Sequence, residues 1–160
     1  MRTGRFAAIM AFSGLTLLAS DLPRPVRTWD LIVRDTGILL QLSSMARLGT
    51  SRVNHTEAAA FVVRDPGGAL SLVPWPDQFE NHRQTWRGTV PAGAIAIVHT
   101  HPDRAPVPSR GDCELARSTG LAVVALSRWA IWMIEPDAAE PVPLVARRNW
   151  AADATKLAQR

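Results

Sequence analysis

The sequence predicts a single α/β or α+β domain in which helices flank a mixed central β-sheet. Three features predict this: apolar runs of strand length, segments with helical periodicity, and the interspersion of the two along the chain. The 160 residues suit one domain with a short appendage, and the apolar content of 47% is ordinary for a globular protein. A domain of about 130 residues buries a sufficient core without a structural metal. Any bound metal is therefore expected to be catalytic.

Helical periodicity appears in three segments. Residues 36–48 place apolar side chains three or four positions apart and precede a glycine, a common helix stop. Ser109 is a favourable N-cap for a helix over residues 109–119, which Gly120 would end. Residues 151–159 form a further candidate helix.

Five apolar runs predict strands. The Asp-Pro-Gly-Gly sequence at 65–68 predicts a turn, so the runs on either side of it should form a hairpin. The run 92–98 is apolar throughout, which is typical of a central strand covered on both faces. Residues 75–91 lack a period and residues 102–108 contain three prolines, so both are predicted loops. The predicted strands cover residues 58–64, 69–74, 92–98, 121–126 and 130–134.

The N-terminal segment has the layout of an export signal. Residues 1–20 begin with two arginines and continue as a short uncharged apolar stretch, which predicts a signal peptide or an N-terminal anchor. Residues 21–28 contain two prolines and are predicted to be a linker, so the folded domain is expected over 29–160. We expect export to the periplasm or the cell exterior, with a cytoplasmic location as the alternative. Membrane association is expected only through residues 1–20.

Charge and cysteine content exclude two classes of site. The net charge is +4, but the arginines are scattered singly or in pairs, and nucleic-acid binding usually needs a clustered basic stripe. We therefore expect no nucleic-acid partner. Cys113 is the only cysteine, which rules out a thiolate-rich zinc site. Any metal must be bound by histidine and carboxylate groups.

The segment from His99 to Asp112 carries the candidate chemistry. His99 and His101 are two apart at the end of an apolar strand, so their side chains should project from the same face and chelate one metal ion. Ser109 and Asp112 are three apart and would share a helical face, from which Asp112 can supply a third ligand. Two histidines and one carboxylate leave the fourth tetrahedral position of a zinc ion open. A water bound there would have its pKa lowered toward neutrality.

A hydrolytic site of this kind also needs a general base. Glu57 directly precedes the strand 58–64 and would face the metal if that strand lies beside the histidine-bearing one. Glu80, in a predicted loop, is the alternative. Ser109 would then donate a hydrogen bond to a developing oxyanion.

This pattern resembles the JAMM motif of the MPN/JAB-domain zinc metalloproteases. His-x-His-Pro is followed seven positions after the proline by Ser-x-x-Asp, with a glutamate upstream. The resemblance spans roughly residues 36–135 and implies the cytidine-deaminase-like JAB architecture, one Zn²⁺ per chain and a peptide or protein substrate. It also implies that His99, His101 and Asp112 bind zinc, that Glu57 is the general acid/base and that Ser109 stabilises the tetrahedral intermediate.

One departure and several alternatives accompany the resemblance. Ala60 stands where the family commonly has glycine. The short intervals leave little room for the insertions with which eukaryotic deubiquitinases grip ubiquitin, so the chain is more similar to a compact prokaryotic member. The alternative functions are a zinc amidohydrolase acting on a small or cell-wall amide, and a non-catalytic MPN-like binding module. Ser-x-x-Asp by itself is also a helix capping box. His55 and His82 are interpreted as non-ligands, and Trp75 and Trp86 as packing residues or as the lining of a substrate groove.

Overall fold

The structure is a computed structural model and describes residues 28–49, 57–76, 86–101, 106–145 and 150. Within these residues it contains three helices and one six-stranded sheet. The helices are α1 (Thr28–Arg34), α2 (Thr36–Gly49) and α3 (Arg110–Thr119). The strands are β1 (Ala59–Arg64), β2 (Leu70–Pro74), β3 (Ala94–Thr100), β4 (Ala122–Leu126), β5 (Ile131–Ile134) and β6 (Val142–Val145).

The sheet is mixed, and its one parallel pair positions the candidate site. The strand order is β2-β1-β3-β4-β5-β6, in which β3 and β4 are parallel and every other pair is antiparallel. Parallel neighbours need a crossover connection, and α3 lies in the connection between β3 and β4. The crossover brings the first turn of α3 close to the end of β3, where ligand sites commonly form in α/β sheets. The predicted single α+β domain with a mixed central sheet is confirmed.

Hydrophobic cores lie on both faces of the sheet because the strand residues alternate between them. One core packs α1 and α2, through Ile32, Ile38 and Leu42, against one face. The other packs α3, through Ala116, against Phe61 and other residues of the opposite face. Strand β4 is buried at all five positions, as a central strand between two helical layers should be. The site must therefore open at an end of the sheet.

Strand β3 begins and ends two residues later than predicted. The sequence predicted a strand over 92–98, whereas the strand runs Ala94–Thr100. The reason is a turn in which Ala94 N–H donates to Pro91 O at 3.1 Å and Gly93 adopts a φ of 78°. That backbone conformation cannot continue a strand. His99 therefore lies inside the sheet, held on both sides, and not beyond its end.

Two further elements were missed by the sequence analysis. β6 contains Pro143, and a proline weakens a strand pattern, although an edge strand tolerates it because one side of its backbone needs no partner. Helix α1 begins at Thr28, the last residue of the predicted linker, and is only seven residues long. The predicted helix 151–159 and the predicted export segment 1–20 lie outside the described residues. No helix within the described ranges is long and apolar enough to cross a membrane.

Candidate metal centre

His99 is fixed between two strands. It pairs with Ala59 of β1 on one side and with Ala125 of β4 on the other, and its relative exposure is 8%. It lies on the same face of the sheet as Ile97, which is the face covered by α3. Because both flanking residues are alanines, the imidazole meets no bulky side chain within its own row of the sheet.

His101 follows the end of β3 and is held by a different neighbour. Its backbone N–H donates to Leu126 O at 2.7 Å, which ties the chain to the end of β4. The Nε2 atoms of His99 and His101 are 2.8 Å apart, and the two rings are tilted by 51° with centroids 4.8 Å apart. The two ring nitrogens that can bind a metal therefore face one another, as the two-residue spacing predicts.

The two carboxylate oxygens of Asp112 have different contacts. Oδ2 accepts a hydrogen bond from Ser109 N–H at 2.6 Å and another from the Ser109 hydroxyl at 2.8 Å. Oδ1 lies 3.4 Å from Nε2 of His99. The helix cap thus holds the carboxylate in place while one oxygen remains directed at the histidines.

The three side chains come close enough together that they could hold a metal ion. Among the residues that the structure describes, His99, His101 and Asp112 form a group whose candidate ligand atoms all lie within 4.8 Å of one another. Ligands at about 2.0–2.1 Å from a tetrahedral zinc are separated by about 3.3–3.4 Å. The His99–Asp112 separation of 3.4 Å already has that value. The 2.8 Å between the imidazoles must widen by about half an ångström to reach the same separation.

Burial keeps His99 in the form that can bind a metal. Desolvation is the largest influence on its pKa, which is lowered from 6.5 to about 4. The carboxylate of Asp112 raises the pKa without offsetting the cost of burying the charged ring, and His101 lowers it further. His99 is consequently neutral at neutral pH, with a lone pair available for coordination.

Ser109 is the N-cap of α3. Its hydroxyl accepts from Asp112 N–H at 3.2 Å and donates to Asp112 Oδ2 at 2.8 Å, while its own N–H bonds the same oxygen. This is a complete capping box, so the structural interpretation of Ser-x-x-Asp is confirmed. The single hydroxyl proton points to Asp112 in this arrangement. A role as an oxyanion donor stays a prediction and would require the proton to turn toward the substrate.

Glu57 lies at the entrance to β1 and is half-buried. The predicted adjacency of its strand to the histidine-bearing strand is confirmed, because β1 pairs with β3 and Ala59 is opposite His99. Continued alternation from Ala59 would direct Glu57 to the same face as His99. Its carboxylate is not a member of the three-residue ligand group, which suits a base better than a ligand. The alternative base Glu80, and the histidines His55 and His82, lie outside the described residues.

Two tryptophans beside β1 form an aromatic cluster. Trp75 and Trp86 pack against Phe61 with ring centroids 5.3 and 5.1 Å away, and lie 5.8 Å from each other. Their indole nitrogens are buried and have no hydrogen-bond partner among the described residues. The predicted packing role is confirmed, whereas the alternative role in a substrate groove stays a prediction.

Thr100 is a residue of the site that the sequence patterns did not predict. It lies between the two histidines, is 1% exposed, and its hydroxyl accepts a hydrogen bond from Ala58 N–H at 2.9 Å. A hydroxyl residue at the end of an apolar strand was the available signal, because a buried hydroxyl needs a partner. The identity of that partner depends on the strand order, which the sequence does not reveal.

No family model matches the sequence, and no curated protein matches it. Among solved structures, the chain is similar to the solution structure of a protein from Salinibacter ruber. That similarity has a TM-score of 0.38 at 17% sequence identity and covers 70% of this chain and 88% of that chain. The JAB architecture and the membership of the metalloprotease family therefore stay predictions.

Proposed function

We propose that this chain is a zinc-dependent hydrolase that cleaves a peptide or isopeptide bond. The observation that carries the proposal is the convergence of His99, His101 and Asp112, whose ligand atoms lie within 4.8 Å of one another. The three side chains come from a strand, the residue after it and a capped helix, so each is held by backbone hydrogen bonds. A surface cluster of acidic groups would not combine two histidines with a carboxylate in this way.

In this proposal His99, His101 and Asp112 would hold one Zn²⁺. A bound zinc ion would supply Lewis acidity for the activation of water and of the scissile carbonyl. Glu57, on the neighbouring strand, takes a proton from the attacking water and delivers it to the leaving amine. Ser109 turns its hydroxyl from Asp112 to the oxygen on which negative charge develops. The buried His99, which is neutral at neutral pH, would bind the metal without a competing proton.

The burial of the donor set favours a catalytic metal over an adventitious one. The side chains of His99 and Asp112 are only 11% and 16% exposed. Asp112 is further constrained by two hydrogen bonds from Ser109, so little conformational entropy remains to be lost when a metal binds. Constraints of this kind around a ligand are typical of tuned metal sites.

The test begins with metal content. Elemental analysis of the purified protein, prepared with and without added zinc, should give about one zinc per chain, and His99→Ala/His101→Ala should give none. Glu114→Gln is a matched surface control, because Glu114 is exposed on α3 and pairs with Arg110 at 2.9 Å, away from the ligand group. Absence of zinc from the wild-type protein after incubation with zinc at neutral pH would reject the proposal in favour of a binding module.

Substrate class is tested next, on zinc-loaded protein. Peptide and isopeptide libraries are screened in parallel with small and cell-wall amides, with Glu57→Gln as the inactive control. Cleavage of peptide or isopeptide bonds by the wild-type protein alone supports the proposal. Cleavage confined to small or cell-wall amides would replace it with the amidohydrolase function.

A further inference from the structure

The peptide bond that joins Glu57 to Ala58 is held by a side chain of the neighbouring strand. Ala58 N–H donates to the hydroxyl of Thr100 at 2.9 Å, and Thr100 N–H donates to Ala58 O at 2.9 Å. The first of these bonds restrains the peptide unit that carries the Cα atom of Glu57. The orientation of that unit helps determine where the Glu57 carboxylate can reach.

A side-chain hydroxyl, and not a backbone carbonyl, is the acceptor of Ala58 N–H. In a regular antiparallel ladder, residues opposite each other exchange N–H···O=C bonds, so the carbonyl of Thr100 would receive Ala58 N–H. The next residue bonds on the other side of β3, as alternation along a central strand requires: His101 N–H donates to Leu126 O of β4 at 2.7 Å. The Thr100 hydroxyl supplies the acceptor for Ala58 N–H that a regular ladder would take from the backbone.

We propose that Thr100 is a positioning residue that holds Glu57 at the metal centre by accepting the Glu57–Ala58 peptide N–H. The inference rests on the proposed function, in which Glu57 is the base. Thr100 contacts neither metal nor substrate in this role. The same strand end thus supplies His101 to the metal group and, through the Thr100 hydroxyl, restrains the peptide unit of the base.

The chemistry of the position makes the inference testable by conservative substitution. Thr100→Val keeps the shape of the buried side chain and removes the hydroxyl oxygen that accepts Ala58 N–H. Thr100→Ser keeps the hydroxyl and removes a methyl group, so it is the matched rescue variant. A role in core packing would be disturbed more by serine than by valine, whereas a role as acceptor would be disturbed only by valine.

The first measurement is amide hydrogen exchange by NMR on the metal-free protein. The reporter is Ala58 N–H, and the internal reference is Trp75 N–H, which bonds Ala59 O on the other side of β1 at 2.8 Å. In Thr100→Val, the Ala58 exchange rate relative to that of Trp75 should rise at least about tenfold, whereas Thr100→Ser should retain the wild-type ratio. An unchanged ratio in Thr100→Val, including equal acceleration of both amides, would overturn the proposal.

The second measurement uses cobalt(II) chloride as a spectroscopic probe of the same site. Zinc affinity, measured by chelator competition, should stay within about threefold of the wild type in Thr100→Val. The pH midpoint of the visible cobalt band should move in the direction that Glu57→Gln moves it, and adding Thr100→Val to Glu57→Gln should move it no further. A wild-type midpoint in Thr100→Val, or a loss of metal like that of a ligand variant, would overturn the positioning role.

The two measurements distinguish a failure of the positioning role of Thr100 from a failure of the proposed hydrolase function. If the wild-type protein binds neither zinc nor cobalt, the proposed hydrolase function fails, and the positioning role of Thr100 fails with it. The exchange ratio still reports on the hydrogen bond itself. If the wild-type protein binds the metal but Thr100→Val has the wild-type exchange ratio and the wild-type cobalt midpoint, the positioning inference fails. The hydrolase function then stands.

Discussion

Asp112 connects the stability of α3 to the affinity for zinc, and two substitutions separate these effects. Asp112→Asn keeps a side-chain oxygen that can accept from Ser109, but removes the negative charge and leaves a poor metal ligand. Asp112→Ala removes both the cap and the ligand. Glu114→Gln, on the same helix, makes the same charge change at an exposed position and is the control.

The magnitudes follow from the contacts. Asp112→Ala removes the two hydrogen bonds from Ser109 to Oδ2, and capping contacts of this kind contribute about 1–2 kcal/mol in total. For a domain of this size, that loss lowers the Tm of the metal-free protein by about 3–8 °C. Asp112→Asn should retain most of the cap and lower the Tm by less. Both variants should bind zinc at least about a hundredfold more weakly. Mutation of a residue that only hydrogen-bonds to a metal ligand already lowers metal affinity about 10–100-fold.

Thermal unfolding with and without zinc measures both effects. At free zinc equal to 100 times the wild-type Kd, the wild-type protein gains about 2.7 kcal/mol, whereas a variant with a hundredfold weaker Kd gains only about 0.4 kcal/mol. Glu114→Gln should gain as much as the wild type. An Asp112→Asn protein that is stabilised by zinc to the wild-type extent would refute the assignment of Asp112 as a ligand.

Three further predictions concern the base, the buried histidine and the turn before β3. Glu57→Gln should leave zinc content unchanged and lower turnover about 10²–10⁴-fold, because it removes a proton acceptor and no ligand; equal turnover on the first substrate identified would reject the role of base. The metal-free protein should lose stability as the pH falls from 6.5 toward about 4, because the unfolded chain protonates His99 before the folded one does. The urea midpoint should depend less on pH across that window in His99→Gln, and an identical pH dependence would contradict the assignment. Gly93→Ala should destabilise the fold by about 2 kcal/mol or more, since its Cβ would lie 2.3 Å from Arg64 O at a φ of +78°. Gly67→Ala, whose nearest contact is the Asp65 side chain at 3.3 Å, is the matched control and should change the urea midpoint little.

Local patterns predicted most of the helices and strands. Helix α3 begins after Ser109 and ends at Gly120, because hydroxyl caps and left-handed glycines act within a few residues. The hairpin between β1 and β2 closes through Asp65, whose side chain accepts Ala69 N–H at 2.8 Å. Strand β6 and helix α1 were missed because both are short and their own residues supply little periodic signal. The start of β3 was misplaced because an apolar run does not reveal that Gly93 lies in a turn.

The sequence by itself determined which side chains share a face. The two-residue spacing of His99 and His101 is a property of strands, and the three-residue spacing from Ser109 to Asp112 is that of a capping box at a helix start; both hold in any fold that contains those elements. Only the tertiary structure decided that β1 lies beside β3 and that α3 lies in the crossover to β4. These two placements bring Asp112 within 3.4 Å of His99 and set Ala58 against the hydroxyl of Thr100. Strand order depends on how the two cores pack against the two faces of the sheet. The free energy of that packing is a sum over contacts between distant parts of the chain, so no local pattern reveals it.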